Sequence, residues 1–192
     1  MLKSENLVST IITPNSVKGQ VRGYQGDTPV TLWKPNLVMY DWATIITKLV
    51  QGNLDYRVNG LYIEFENNAG TVSVPAFDRE DGVSYYQGLG GVRDFIRVPI
   101  TAVTASSSDA TLFPGGNVAT FFGQTQGSVG THGVAFSNAA NSKVFGAALV
   151  AMPEQADYTQ DRVFSRFYFD TSDQIAKLTS NQVGIEWAVT LQ

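Results

Sequence analysis

Any chemistry in this chain has to be built from few parts, because its 192 residues include one histidine, no cysteine and seventeen acidic side chains. The histidine, His132, stands in Gly130-Thr131-His132-Gly133. General-base or metal work needs an orienting carboxylate or further ligands beside the imidazole, and flanking glycines supply neither. His132 therefore reads as a turn residue, and a closed zinc site has no thiolates to draw on. The acidic run Asp78-Arg79-Glu80-Asp81-Gly82 has the oxygen density that calcium favours. It lacks the alternating Asp spacing and distal Glu of an EF-hand loop, and reads as an exposed charged loop. Glu64 and Glu66 are two residues apart on one strand pattern, which places them on the same face as surface charges. Glycoside hydrolysis instead needs two carboxylates across a cleft in unlike environments. Gly88-Leu89-Gly90-Gly91 has the glycines of a phosphate-binding turn but no following Gly-Lys-Ser or Gly-Lys-Thr, and Ser165 sits in a strand pattern rather than a nucleophile elbow. No catalytic residue, metal ligand or cofactor-binding residue is nominated, and no cofactor is expected.

A different kind of chemistry is suggested by Phe164-Ser165-Arg166-Phe167-Tyr168-Phe169, which follows the polar stretch Asp157-Tyr158-Thr159-Gln160-Asp161-Arg162. Arginine and tyrosine are enriched where proteins meet proteins, so Arg166 and Tyr168, with Tyr85 and Tyr86 from the loop over 78–91, are the interface candidates. The competing reading has Phe164 packed against a second sheet and Arg166 paired with Asp161 or Asp170. Trp33, Tyr85 and Tyr86 are also rings on which a sugar could stack.

These side chains must be held by a largely β framework. Alternation over 61–66 puts Leu61, Ile63 and Phe65 on one face and Tyr62, Glu64 and Glu66 on the other. A short strand is expected over 71–74, stopped or confined to an edge by Pro75, and a longer one over 95–103, interrupted by Pro99. The apolar run 144–151 fits a strand buried on both faces. Residues 163–169 alternate with Val163, Ser165, Phe167 and Phe169 on one side, and Val183, Ile185, Trp187, Val189 and Leu191 give an unbroken inward face to the last strand. Leu149, Val163, Phe167, Ile185, Trp187 and Val189 are expected to form one core. One amphipathic helix is expected over 36–51, capped by Asn36 or Asp41, with Trp42, Ile45, Ile46, Leu49 and Val50 on its apolar face. The fold class is mainly β: an antiparallel β-sandwich, for which a jelly roll is one topology among several, with that one helix. Residues 1–26 read as an extended N-terminal arm, able to lie on a neighbouring subunit, and 27–192 as a single sandwich domain.

Composition narrows the function classes. Hydrophobic residues make up 43% and charged residues 16%, so the chain has apolar surface to bury and little charge to repel neighbours. A net charge of −4 with no basic stripe argues against nucleic acid as a partner. No stretch approaches the roughly 20 apolar residues that span a bilayer, and none has signal-peptide form, so no membrane partner is expected and synthesis in a cytoplasm is.

The segment Pro35-Asn36-Leu37-Val38, the helix ending at Leu49-Val50-Gln51-Gly52 and the strand Leu61-Tyr62-Ile63-Glu64-Phe65 together resemble the opening of small tailed-bacteriophage virion proteins of the tail-fibre and collar kind. Tyr40-Asp41-Trp42 departs from that pattern, which has small residues there, and Glu64-Phe65 departs from its Gly-rich turn. The resemblance implies a non-enzymatic virion protein made in the host cytoplasm, a multi-copy subunit of the neck, tail or fibre-attachment region whose partners are other virion proteins and copies of itself. A capsid decoration protein and a carbohydrate-binding sandwich that takes a glycan are the alternatives.

Overall fold

The computed structural model describes residues 17–66, 93–106, 117–125, 142–154, 157–170, 172–177 and 182–191. They form two packed antiparallel sheets and one α-helix, the β-sandwich that the alternation pattern predicts. Twelve strands are described: β1 Val17–Gln25, β2 Thr28–Pro29, β3 Lys34–Pro35, β4 Leu37–Val38, β5 Val58–Glu66, β6 Arg93–Pro99, β7 Ala102–Ser106, β8 Asn117–Gln124, β9 Ser142–Ala151, β10 Arg162–Tyr168, β11 Ile175–Lys177 and β12 Val183–Leu191. Sheet A runs β2-β1-β12-β8-β7, with β3 also on β1, and sheet B runs β4-β10-β9-β5-β6, with β11 also on β9.

The two sheets are stitched by short crossings. β3 pairs with Gln20 and Val21 in sheet A, and two residues later β4 pairs with Ser165 and Arg166 in sheet B. Asn36 is the crossing residue. Its amide packs so closely on Gly19 that a β-carbon there would lie 2.3 Å from Asn36 Oδ1, so only glycine fits beneath it. Pro99 ends β6 in sheet B, and Ala102 begins β7 in sheet A. The corner is held by Ile100 N donating to Asn59 O at 2.9 Å and Thr101 N donating to Phe122 O at 2.8 Å. What reads as one interrupted strand over 95–103 is thus two strands in different sheets, because a proline has no N–H to donate to the ladder.

The core lies between the sheets. Val21, Leu61, Ile63, Leu149, Phe167, Ile185, Trp187 and Val189 belong to one buried cluster. Val163, expected among them, belongs instead to a second cluster on the outer face of sheet B with Met39, Tyr62, Ala148, Val150 and Met152. The cause is a β-bulge: Val163 pairs with Val150 and Ser165 with Leu149, so Phe164 is the extra residue. Phe164 enters the main core with Phe167 and Phe169. A bulge shifts the face of every residue before it relative to those after it.

Residues 17–25, read from sequence as part of an arm, are an integral strand. β1 pairs with β12 along its whole length, from Val17 with Leu191 to Gln25 with Val183, and buries Val17 and Val21. Glycines at every other small position hide the alternation, since Val17, Gly19, Val21 and Gly23 all face inward but only two of them are apolar by type. Residues 1–16 lie outside the described residues.

The helix, α1 (Asp41–Val50), starts later than the pattern suggests because 37–38 form β4. Its N-cap is Tyr40, without a side-chain capping bond. Asp41 accepts a hydrogen bond from Val163 N at 3.2 Å and so ties the helix to β10. Trp42 and Ile45 are buried, with Ile46 and Leu49 packed at the margin of the core. Val50, placed on the apolar face by its spacing, is the last residue of the helix and is 82% exposed.

Candidate functional site

The outer face of sheet B concentrates buried charge. Tyr62, Glu64, Arg97 and Arg166 stand on it with at most 4% of their surface exposed. Arg97 grips Asp161 at two points, Nε to Oδ2 at 3.0 Å and Nη2 to Oδ1 at 2.9 Å, and donates to Glu154 O at 2.7 Å. Tyr62 Oη donates to Asp161 Oδ2. The Asp161 carboxyl is pushed up to about 6 by burial, against the opposing pull of the Tyr62 hydroxyl and the Arg97 guanidinium. Burial and the adjacent carboxylate also hold the Tyr62 hydroxyl protonated well above the ordinary phenol range. The arrangement pins the segment between β9 and β10 onto the sheet. At its other end Met152 N donates to Asn59 Oδ1 at 2.8 Å, and Asn59 Nδ2 donates to Met152 O at 3.1 Å.

A second pair lies along the same face. Arg166 Nη2 donates to Glu64 Oε1 at 3.2 Å and to Tyr168 Oη at 2.5 Å, with both charged side chains fully buried. The Tyr168 ring rests over Gly146, where a β-carbon would lie 2.5 Å from its Cδ1. Arg166, an interface candidate by residue type, is thus spent inside the chain. Its partner is Glu64, which strand alternation had placed on a solvent face, and not Asp161 or Asp170. Tyr168 is half-buried in the same network. Phe164 does not share their face, because the bulge turns it inward. Tyr85 and Tyr86, His132, the acidic run 78–82 and the glycines of 88–91 lie outside the described residues.

Sheet A presents a half-exposed counterpart. Arg22 donates through Nε at 3.1 Å and Nη2 at 2.6 Å to Glu186 Oε2, Tyr24 Oη donates to the same oxygen at 2.6 Å, and the guanidinium stacks on Trp33 at 4.6 Å. Burial and the Glu186 carboxylate push the Tyr24 hydroxyl up to about 12. Trp33 packs against Val118 and Ala188, with Arg22 over its ring. The ring is therefore engaged within the chain.

Two clefts flank the broken edge of the sandwich. The larger, about 410 Å³, is lined by residues 34–37, 166–168 and Asp170. The smaller, about 140 Å³, is lined by Gln25, Val30, residues 172–174 and Ile175. Lys34 belongs to the edge between them and pairs with Asp173 at 2.7 Å and Asp170 at 3.4 Å. The Asn36 amide beside the larger cleft is buried without a hydrogen-bond partner among the described residues. Among the described residues no group of three or more His, Asp or Glu is placed to hold a metal ion.

Exposed apolar side chains occur at Tyr40, Val50 and Leu54 in and around the helix, and at the margins of sheet A. At one edge the chain breaks away from β1 between β2 and β3: Thr31 Oγ1 takes the bond from Gly23 N at 2.8 Å, and Val30 and Leu32 are left 45% and 81% exposed. At the other edge the row Val21, Trp187, Phe121, Val103 crosses four paired strands on the inner face. Val21 and Trp187 are wholly buried, Phe121 is half-buried, and Val103 is 57% exposed. No model of a known protein family matches this chain, and neither does any curated protein or solved structure.

Proposed function

We propose that this chain is a non-enzymatic structural subunit, used in many copies in a phage virion at the neck, tail or fibre-attachment region. The observation that carries the reading is exposed apolar surface at both edges of one sheet. Val30 and Leu32 lie at one edge and Val103 at the other, roughly 19 Å apart across four interstrand spacings. A subunit built into a larger assembly needs more than one contact surface, and contacts at two separate margins let one copy touch neighbours on two sides. The described charges support the same reading, since Arg97, Asp161, Arg166, Glu64, Arg22 and Glu186 hold the sandwich together. The phage setting comes from the resemblance of the opening segment to tail-fibre and collar proteins.

The test is mass spectrometry and image reconstruction of purified particles of the phage that encodes the chain. The expected result is a stoichiometric component at the tail or neck, present in about a dozen copies or a small multiple. Hundreds of copies on the shell would replace this location with capsid decoration. Absence from the particle would overturn the reading altogether.

A further inference from the structure

Four margins of the two sheets are described, and three of them carry features that stop another strand from adding. The β2–β3 margin contains Pro29 and Pro35 and breaks between them. β4 is two residues long and runs directly into the helix. β6 carries Arg93, Asp94 and Arg97 and closes on Pro99. Proline, charge and brevity are the usual means by which a sheet edge is kept from pairing. β7 has none of them. Residues 100–106, Ile-Thr-Ala-Val-Thr-Ala-Ser, contain no charge and no proline. Among the described residues β7 is the terminal strand in the order of sheet A, and residues 101–104 are all exposed.

From this contrast we infer that β7 is a self-association edge, pairing antiparallel with β7 of a second copy about a two-fold axis through Thr104. This rests on the multi-copy reading above and names its first contact. The strand spans 102–106, so centring on Thr104 overlaps its whole length, with Val103 of each copy opposite the partner subunit's Ala105. A two-fold axis perpendicular to the sheet maps inner face onto inner face. The row that ends at the exposed Val103 then continues into the neighbour, and its apolar surface is covered. A second copy fits this edge better than a strand of different sequence because the uncharged segment opposes no like charges when it meets itself, although each chain carries a net charge of −4. The β2–β3 margin cannot serve as the complementary edge, because its prolines lack the N–H groups a ladder needs.

The absence of cysteine makes the test direct. Opposite residues of an antiparallel pair have α-carbons about 4.5–5.5 Å apart, inside the range that a disulfide spans. Thr104→Cys should form a covalent dimer under mild oxidation. Thr101→Cys should not, because its copies would lie roughly 20 Å apart in this register. Light scattering on the unmodified chain should show a dimer or a multiple of it, and Val103→Lys, at an exposed position that the fold tolerates, should weaken that association roughly tenfold or more. If the chain self-associates but Thr104→Cys fails to cross-link, or cross-links no better than Thr101→Cys, the β7 pairing is wrong while the multi-copy reading stands. If the chain is monomeric at high micromolar concentration the β7 pairing is also wrong, and the particle measurement alone then decides the function.

Discussion

The outer faces of the two sheets carry the same kind of side chains and put them in different surroundings. On sheet A, Arg22 and Glu186 meet with 27% and 19% of their side chains exposed. On sheet B, Arg166 and Glu64 meet with none. Each pair has a tyrosine hydroxyl two residues from its arginine, Tyr24 and Tyr168, within hydrogen-bonding distance of the guanidinium. The difference is water. A pair that keeps some solvent gains little and loses little when broken, whereas a fully desolvated pair must be complete, because either partner left alone is an uncompensated charge. Sheet B is therefore the less tolerant face of this sandwich, and matched substitutions on the two faces measure by how much.

The largest effect is expected from Glu64→Ala, which removes the carboxylate paired with the buried Arg166 guanidinium. Chemical denaturation should show a loss of about 3–5 kcal/mol. A loss below about 1 kcal/mol would mean that solvent reaches the pair and that the contrast between the faces is not one of burial.

Asp161 sharpens the comparison through pH. Its carboxyl titrates near 6 in the folded chain against an ordinary value of 3.8. The folded state therefore holds the proton more tightly than the unfolded state. The stabilisation associated with Asp161 is complete below about pH 3.8 and declines as pH rises through about 6. Denaturation of the unmodified chain and of Asp161→Asn at a series of pH values should show the stability difference between them shrinking by about 3 kcal/mol across that window. A difference that is flat with pH, or that grows toward neutrality, would show that Arg97 and Tyr62 outweigh burial.

On sheet A, Glu186→Ala should cost about 1 kcal/mol, less in high salt, since the Arg22 it leaves behind keeps its stacking on Trp33 and its access to water. A cost equal to that of Glu64→Ala would erase the distinction between the faces.

The smallest change is expected when the sheet B pair is replaced as a unit. Glu64→Leu combined with Arg166→Met should leave stability within about 1 kcal/mol of the unmodified chain or raise it, because both desolvation penalties vanish together. A double variant as unstable as Glu64→Ala would show that the pair is bound into further contacts of that face.

Much of the framework was legible in the residue pattern, and the exceptions share a cause. Alternation over 183–191 placed Val183, Ile185, Trp187 and Val189 in the core, where all four are buried. The apolar run over 144–151 is β9, the strand of sheet B lying between β10 and β5. Strand β1 was hidden because half of its inward positions are glycine, which carries no hydropathy signal, and its place is set by pairing with a strand more than 150 residues away. The faces of 163–169 were misjudged ahead of the bulge, since one extra residue leaves no mark in the types of its neighbours. As for candidate sites, Arg166 and Tyr168 were singled out by type, but residue type could not say whether their charge and hydroxyl point to a partner or to Glu64. That β7 ends sheet A among the described residues was not visible at all, because an edge is defined by which strands lie beside it.

By itself the sequence determined that this chain is rich in short strands and carries an amphipathic helix, that thiolate metal chemistry is outside its means, and that β12 turns Trp187 inward. Local alternation suffices for these, since side-chain direction repeats every two residues along a strand. Only the tertiary structure decided which outward faces meet water. Tyr62 and Glu64 alternate with core residues as Arg22 and Tyr24 do, yet sheet B buries its outer pair fully and sheet A leaves its own partly in solvent, because what covers a strand's second face comes from distant parts of the chain that periodicity does not encode.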